Sequence, residues 1–128
     1  MGGMSRVKGF TCLGLLLLLS ACAQPKQLYN YGDYSNSYYK YKKQATPENR
    51  QALIASIEKA VDESEKGQSG RVPPGIFANL GYMYLQDGNS QKAISLFEKE
   101  KANYPESTHF MERIIAKIEK VDEKEEQQ

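Results

Sequence analysis

One histidine, His109, and two cysteines, Cys12 and Cys22, are all that the 128 residues hold of the two types on which metal sites and acid–base centres most often draw. No Cys, His or carboxylate pattern stands at ligand spacing around His109, and no Ser-His-Asp or paired-carboxylate set is visible. The sequence therefore predicts no catalytic residue, no metal ligand and no cofactor, with His109 a surface side chain. A phosphate loop is excluded too, because no Gly-Lys-Ser/Thr follows Gly67-Gln68-Ser69-Gly70. Long apolar runs are also missing. Gly9 to Leu19 is the apolar stretch, and a bilayer-spanning helix takes roughly 20 apolar residues.

That short run has another grammar. Arg6 and Lys8 precede it, Leu15 to Leu19 is unbroken leucine, and Ser20, Ala21 and Cys22 close it. A charged start, a short apolar core and small residues before a cut form a secretory leader. Leu19-Ser20-Ala21-Cys22 resembles the bacterial lipobox, which implies that residues 1–21 are removed and that Cys22 carries a lipid. A thiolate is the strongest side-chain nucleophile, so cysteine suits thioether attachment of a diacylglycerol. Small Ser20 and Ala21 let a membrane-embedded peptidase close on the bond before Cys22. One acyl chain, at about 0.8 kcal/mol per buried methylene, holds only marginally; the two or three chains typical of bacterial lipoproteins imply lasting attachment. The rival reading is an ordinary cleaved leader with an incidental cysteine. Ala23 stands where an Asp tends to retain Gram-negative lipoproteins in the inner membrane, so the expected place is the outer membrane, with the body facing the periplasm.

Loss of the leader removes Cys12, so the mature chain has no intramolecular disulfide although the compartment permits one. The 17 basic residues less Arg6 and Lys8 leave 15, against 16 acidic ones. That balance supplies no electrostatic motive for binding nucleic acid. The remaining 107 residues make one small domain at most.

The mature chain reads as helices throughout. Residues 22–28, polar and interrupted by Pro25, are a lipidated tether, and residues 29–121 are the body. Six of the nine tyrosines fall between Tyr29 and Tyr41; Tyr34, Tyr38 and Tyr41 keep helical spacing, and Asp33 or Ser35 can cap that helix. The tyrosines, Tyr34 and Tyr38 among them, serve either as a contact surface for headgroups or a partner, or as packing for a short helix. Thr46-Pro47-Glu48-Asn49 starts a second helix, whose stripe of Leu53, Ile57 and Val61 predicts a run to about Lys66.

Phe77, Leu80, Gly81, Tyr84, Ala93, Phe97 and Pro105 resemble the tetratricopeptide pattern, aromatic-x2-L-G-x2-Y…A-x3-F…P, over residues 74–107. Gly81 and Ala93 are small where two antiparallel helices touch; Phe77, Tyr84 and Phe97 are large where the pair packs on its neighbours. Asp87-Gly88-Asn89-Ser90 makes the turn, with Asn89 or Ser90 as cap. Glu100 departs from the pattern, which favours a small residue there, so loose packing or contact with water is expected at that end. Ser107 or Thr108 can cap a last helix with the stripe Met111, Ile114, Ile115, Ile118 and Val121, which dissolves into a charged tail at 122–128. The fold class is thus all-α, tetratricopeptide-like hairpins closed by a solvating helix. By resemblance to the repeat, Ala78, Asn79, Tyr82 and Gln86 face a groove; the alternative is a solvated stripe without a partner.

Taken together, Tyr31-Gly32-Asp33-Tyr34-Ser35, Thr46-Pro47-Glu48-Asn49-Arg50, Arg71-Val72-Pro73-Pro74-Gly75 and Tyr104-Pro105-Glu106-Ser107-Thr108 resemble a family of small uncharacterised bacterial lipoproteins. Its members often accompany a lipoprotein similar to the curli secretion channel, and that resemblance implies an assembly or accessory role. The expected function is a membrane-anchored, non-enzymatic scaffold that binds another envelope protein through its helical surface. The alternative is a cell-wall or polysaccharide-binding accessory that uses the tyrosine-rich segment.

Overall fold

The computed structural model describes residues 25–126, in which five α-helices form and no strand occurs. They are α1 (Tyr34–Lys43), α2 (Pro47–Asp62), α3 (Ile76–Gln86), α4 (Ser90–Asn103) and α5 (Thr108–Glu126), with 3₁₀ turns at Ser64–Lys66 and Pro105–Ser107. The all-α fold expected from the periodicity is the fold observed. The leader and Cys22 lie outside the described residues.

Local chemistry sets the boundaries. The Thr46 hydroxyl accepts from the Asn49 N–H at 3.2 Å, and Pro47 opens α2 at a position whose N–H has no helical partner anyway. Between the two candidates for α4, Asn89 is the cap: its Oδ1 accepts from the Lys92 N–H at 3.1 Å. At α1, Asp33 stands at the cap position, but its carboxylate accepts from Asn36 Nδ2 at 2.9 Å and Ser37 Oγ at 3.2 Å. Those two bonds hold the Asp33 carboxyl below the ordinary carboxylate range. Two boundaries differ from expectation. α2 stops at Asp62, because the chain tightens into the 3₁₀ turn before Lys66, and α5 continues as helix through residues 122–126.

Three-residue connections at 44–46 and 87–89 fold α1 back on α2 and α3 back on α4, while α5 packs on α4. Leu53 and Ile57 of α2 meet Ile76, Leu80 and Met83 of α3 and Leu96 of α4 in one buried cluster. A second cluster joins Ala93 and Phe97 of α4 to Met111, Ile115 and Ile118 of α5. Gly81 lies where α3 and α4 touch: a Cβ there would come within 2.8 Å of Phe97 Cε1 and 3.2 Å of the Ala93 carbonyl. Val121, counted in the apolar stripe of α5, is instead 53 % exposed.

Glu100 overturns its expectation. It is 3 % exposed, with Oε1 accepting from the Gly75 N–H at 2.7 Å and Oε2 from the Ala78 N–H at 3.3 Å. The first N–H groups of a helix have no partner within it, and they carry partial positive charge. Gly75, the residue before α3, has no side chain to supply an acceptor, so a carboxylate on the neighbouring helix caps α3. A charge is buried here because backbone donors replace its water.

Gln27 and Leu28, expected to lie in a tether, are bonded to the helical body. The Gln27 and Leu28 carbonyls accept from the N–H groups of Gln68 and Ser69 at 3.0 and 2.9 Å, so both residues belong to the body. Gly67 makes this docking possible, since a Cβ there would fall 2.9 Å from the Asn30 nitrogen and 3.0 Å from the Leu28 oxygen.

Candidate functional site

α3 presents one face between α1 and α5, and a cleft opens on each side of it. The first, of about 220 Å³, is lined by Tyr38, Tyr41 and Lys42 from α1 and Asn79, Tyr82 and Gln86 from α3. The second, of about 320 Å³, lies between Ala78, Asn79 and Tyr82 of α3 and Phe110, Met111 and Ile114 of α5. Asn79 and Tyr82 line both clefts, so the two are halves of one groove divided by the Tyr82 ring, which is 55 % exposed.

The halves differ in chemistry. Towards α1 the walls carry phenol, amide and one ammonium group, that of Lys42. Towards α5 no charged side chain lines the cleft, and Phe97 and Phe110 make it apolar. Asn79 is held in place by its Nδ2, which donates to the Gly75 carbonyl at 2.8 Å. Such a surface suits a ligand with a polar, hydrogen-bonding part and a bulky apolar part.

Of the residues expected at a partner surface, Ala78, Asn79, Tyr82, Gln86 and Tyr38 are brought together along this groove. Tyr34 is not. It is half-buried against the core beside Tyr31 and Tyr41, and its ring lies 5.7 Å from that of Tyr38, which it backs. The packing expectation thus describes Tyr31, Tyr34 and Tyr41, whereas Tyr38 and Tyr39 are exposed. Rings follow one another from Tyr104 to Tyr29 (6.4 Å), Tyr31 (6.5 Å), Tyr34 (6.1 Å) and Tyr38 (5.7 Å), while Tyr39 points to solvent. Burial pushes the Tyr31 and Tyr34 hydroxyls above their ordinary value. It raises Tyr104 further still, with Tyr29 adding to the effect and Arg71 opposing it. His109 is exposed in the first turn of α5. Among the described residues no three His, Cys, Asp or Glu side chains gather as metal ligands, and no helix is long and apolar enough to cross a membrane.

Tyr41, Lys42, Phe110 and Ile114 also line the groove, although the sequence reading did not place them there. Phe110 carried a signal: a large aromatic directly beside the buried Met111 but off the apolar stripe of α5 has no core to enter, and it is 63 % exposed.

A family model described as "Domain of unknown function (DUF4810)" matches residues 28–114, well over half of the chain. The chain belongs to this family. No curated protein and no solved structure shows a significant match. Four short stretches singled out in the sequence have structural work within the DUF4810 domain. Arg50 of α2 donates to the Met83 carbonyl at 2.7 Å and pairs with Asp87 at 2.7 Å, joining α2 to the end of α3. Arg71 donates to the Asn103 carbonyl and lies over the Tyr104 ring, 4.7 Å from its centre. The Tyr104 hydroxyl donates to the Val72 carbonyl at 2.6 Å. Tyr31 and Asp33 belong to the ring ladder and the α1 start described above. These stretches hold the α3–α4 hairpin against its neighbours, and of their residues Gly75 alone is among those that line the groove.

Proposed function

We propose that this protein is a lipoprotein anchored at Cys22 in the outer membrane, with its body in the periplasm, and that it acts as a non-enzymatic binding or assembly accessory. The observation that carries the reading is the single groove in which Tyr38, Asn79, Tyr82 and Gln86 converge from two helices. Its partner is another envelope protein, which presents an apolar side chain to Phe110 and Ile114 and polar groups to Asn79 and Lys42. A tetratricopeptide-like arrangement of the hairpins supports this reading, because repeats of that kind expose the first helix of each pair on a concave face. The resemblance to lipoproteins that accompany a curli-channel-like lipoprotein supports a role in assembly. The anchor rests on the Leu19-Ser20-Ala21-Cys22 tetrad.

Crosslinking in intact envelopes followed by affinity recovery tests the proposal. The expected result is one envelope protein recovered in specific yield, lost at least tenfold when Asn79→Ala, Tyr82→Ala and Phe110→Ala are combined and the helical circular dichroism is unchanged. Equal recovery with the triple variant removes the groove from consideration. A second reading, binding of a cell-wall or polysaccharide ligand, draws on the outward rings of Tyr38 and Tyr39. Tyr38→Ala with Tyr39→Ala separates the two: loss of glycan retention with the protein partner retained favours the second.

A further inference from the structure

The docking of Gln27 and Leu28 has a consequence for how the body meets the membrane. We propose that the face formed by the residues around this docking point and the 66–71 turn lies against a lipid surface bearing anionic headgroups. The inference rests on the lipid at Cys22 proposed above. Four residues lie between Cys22 and Gln27, the first whose backbone is bonded to the body, so five Cα-to-Cα steps join them. Whatever path they take, they span at most about 18 Å. α5 alone, with 19 residues, is about 28 Å long. The docking point cannot therefore sit on the side of the body away from the membrane, because the tether would not reach around it. The face that is forced inward has suitable chemistry. Leu28 is 56 % exposed, with no core to enter; Lys26 and Arg71 stand exposed on the two segments that meet there, and Lys66 pairs with Glu63 at 2.7 Å. An aliphatic side chain among cationic groups fits the boundary between acyl chains and anionic headgroups.

The chain has no tryptophan, so one introduced indole reports position without background. The lipidated full-length protein is reconstituted in vesicles of phosphatidylcholine and phosphatidylglycerol, three to one, with brominated acyl chains as quenchers. Leu28→Trp should lose more than half of its emission, and Lys120→Trp, near the far end of α5, less than a tenth. Inserting 20 Gly/Ser residues after Ala23 should reduce the Leu28→Trp quenching at least twofold. Equal quenching of both probes in protein whose mass shows the lipid overturns the apposed face and leaves the anchor standing. A mass that shows Cys22 without lipid overturns both.

Discussion

Glu100 is the residue whose environment departs most from what its type suggests. Its carboxylate replaces the missing acceptor at the start of α3, and both donors are part-buried backbone N–H groups with no partner within the helix. Glu100→Ala should therefore lower stability by about 2–3 kcal/mol in urea unfolding, and Glu100→Gln, which keeps one acceptor, by about half of that. An unchanged midpoint for Glu100→Ala would mean that water caps α3 equally well. Tyr104 makes a different prediction. Its hydroxyl is buried, bonded to the Val72 carbonyl, and raised well above the ordinary value of 10.0; Tyr31 and Tyr34 are raised with it. Such groups stay protonated in the folded chain while the unfolded chain ionises, so folding binds more protons above about pH 10 and stability falls as pH rises. Below that pH the stabilisation is fully present. Tyr104→Phe should flatten the decline between pH 10 and pH 12, as read by the far-ultraviolet melting temperature at each pH.

At the scale of the helix, the α3–α4 hairpin is the best-specified element. Gly81 lies against the Phe97 ring and the Ala93 backbone, neither of which can move aside within the core. Gly81→Ala gains up to about 1 kcal/mol of helix propensity but overpacks by about 1–3 kcal/mol. The net effect should be a loss of about 1–2 kcal/mol, and a gain in thermal stability would show the contact to be loose. This contact was legible because small residues at 81 and 93 and large ones at 77, 84 and 97 keep a fixed spacing. The cap on α3 was not. It comes from a side chain 25 residues away, and a search for local capping residues finds only Gly75. The boundary between tether and body was hidden for a similar reason: the partners of Gln27 and Leu28 are backbone groups at 68 and 69, which leave no trace in side-chain type.

For the whole molecule there are two expectations, the first of which tests the anchor proposed at Cys22. Cys22→Ala should abolish membrane attachment, measured by fractionation, while the purified body keeps its helical spectrum and melting temperature. Failure of both together would mean that the anchor and the fold are not independent. Removing residues 108–128 should uncover the Phe97 side of α4, which Met111, Ile115 and Ile118 cover, and turn cooperative melting into a broad transition. The helix content, the turn positions and most core residues were written in the spacing of apolar side chains, since a helix returns the same face every 3.6 residues wherever it occurs. That periodicity also placed Asn79, Tyr82 and Gln86 together on one side of α3. It carries no information about which helix stands opposite. The meeting of that side with Tyr38 from α1 and Phe110 from α5, the burial of Glu100, and the division of the tyrosines into packing rings and groove rings arise from contacts between helices far apart in the chain. Those contacts are set by how side chains interlock in three dimensions, and one-dimensional spacing does not encode them.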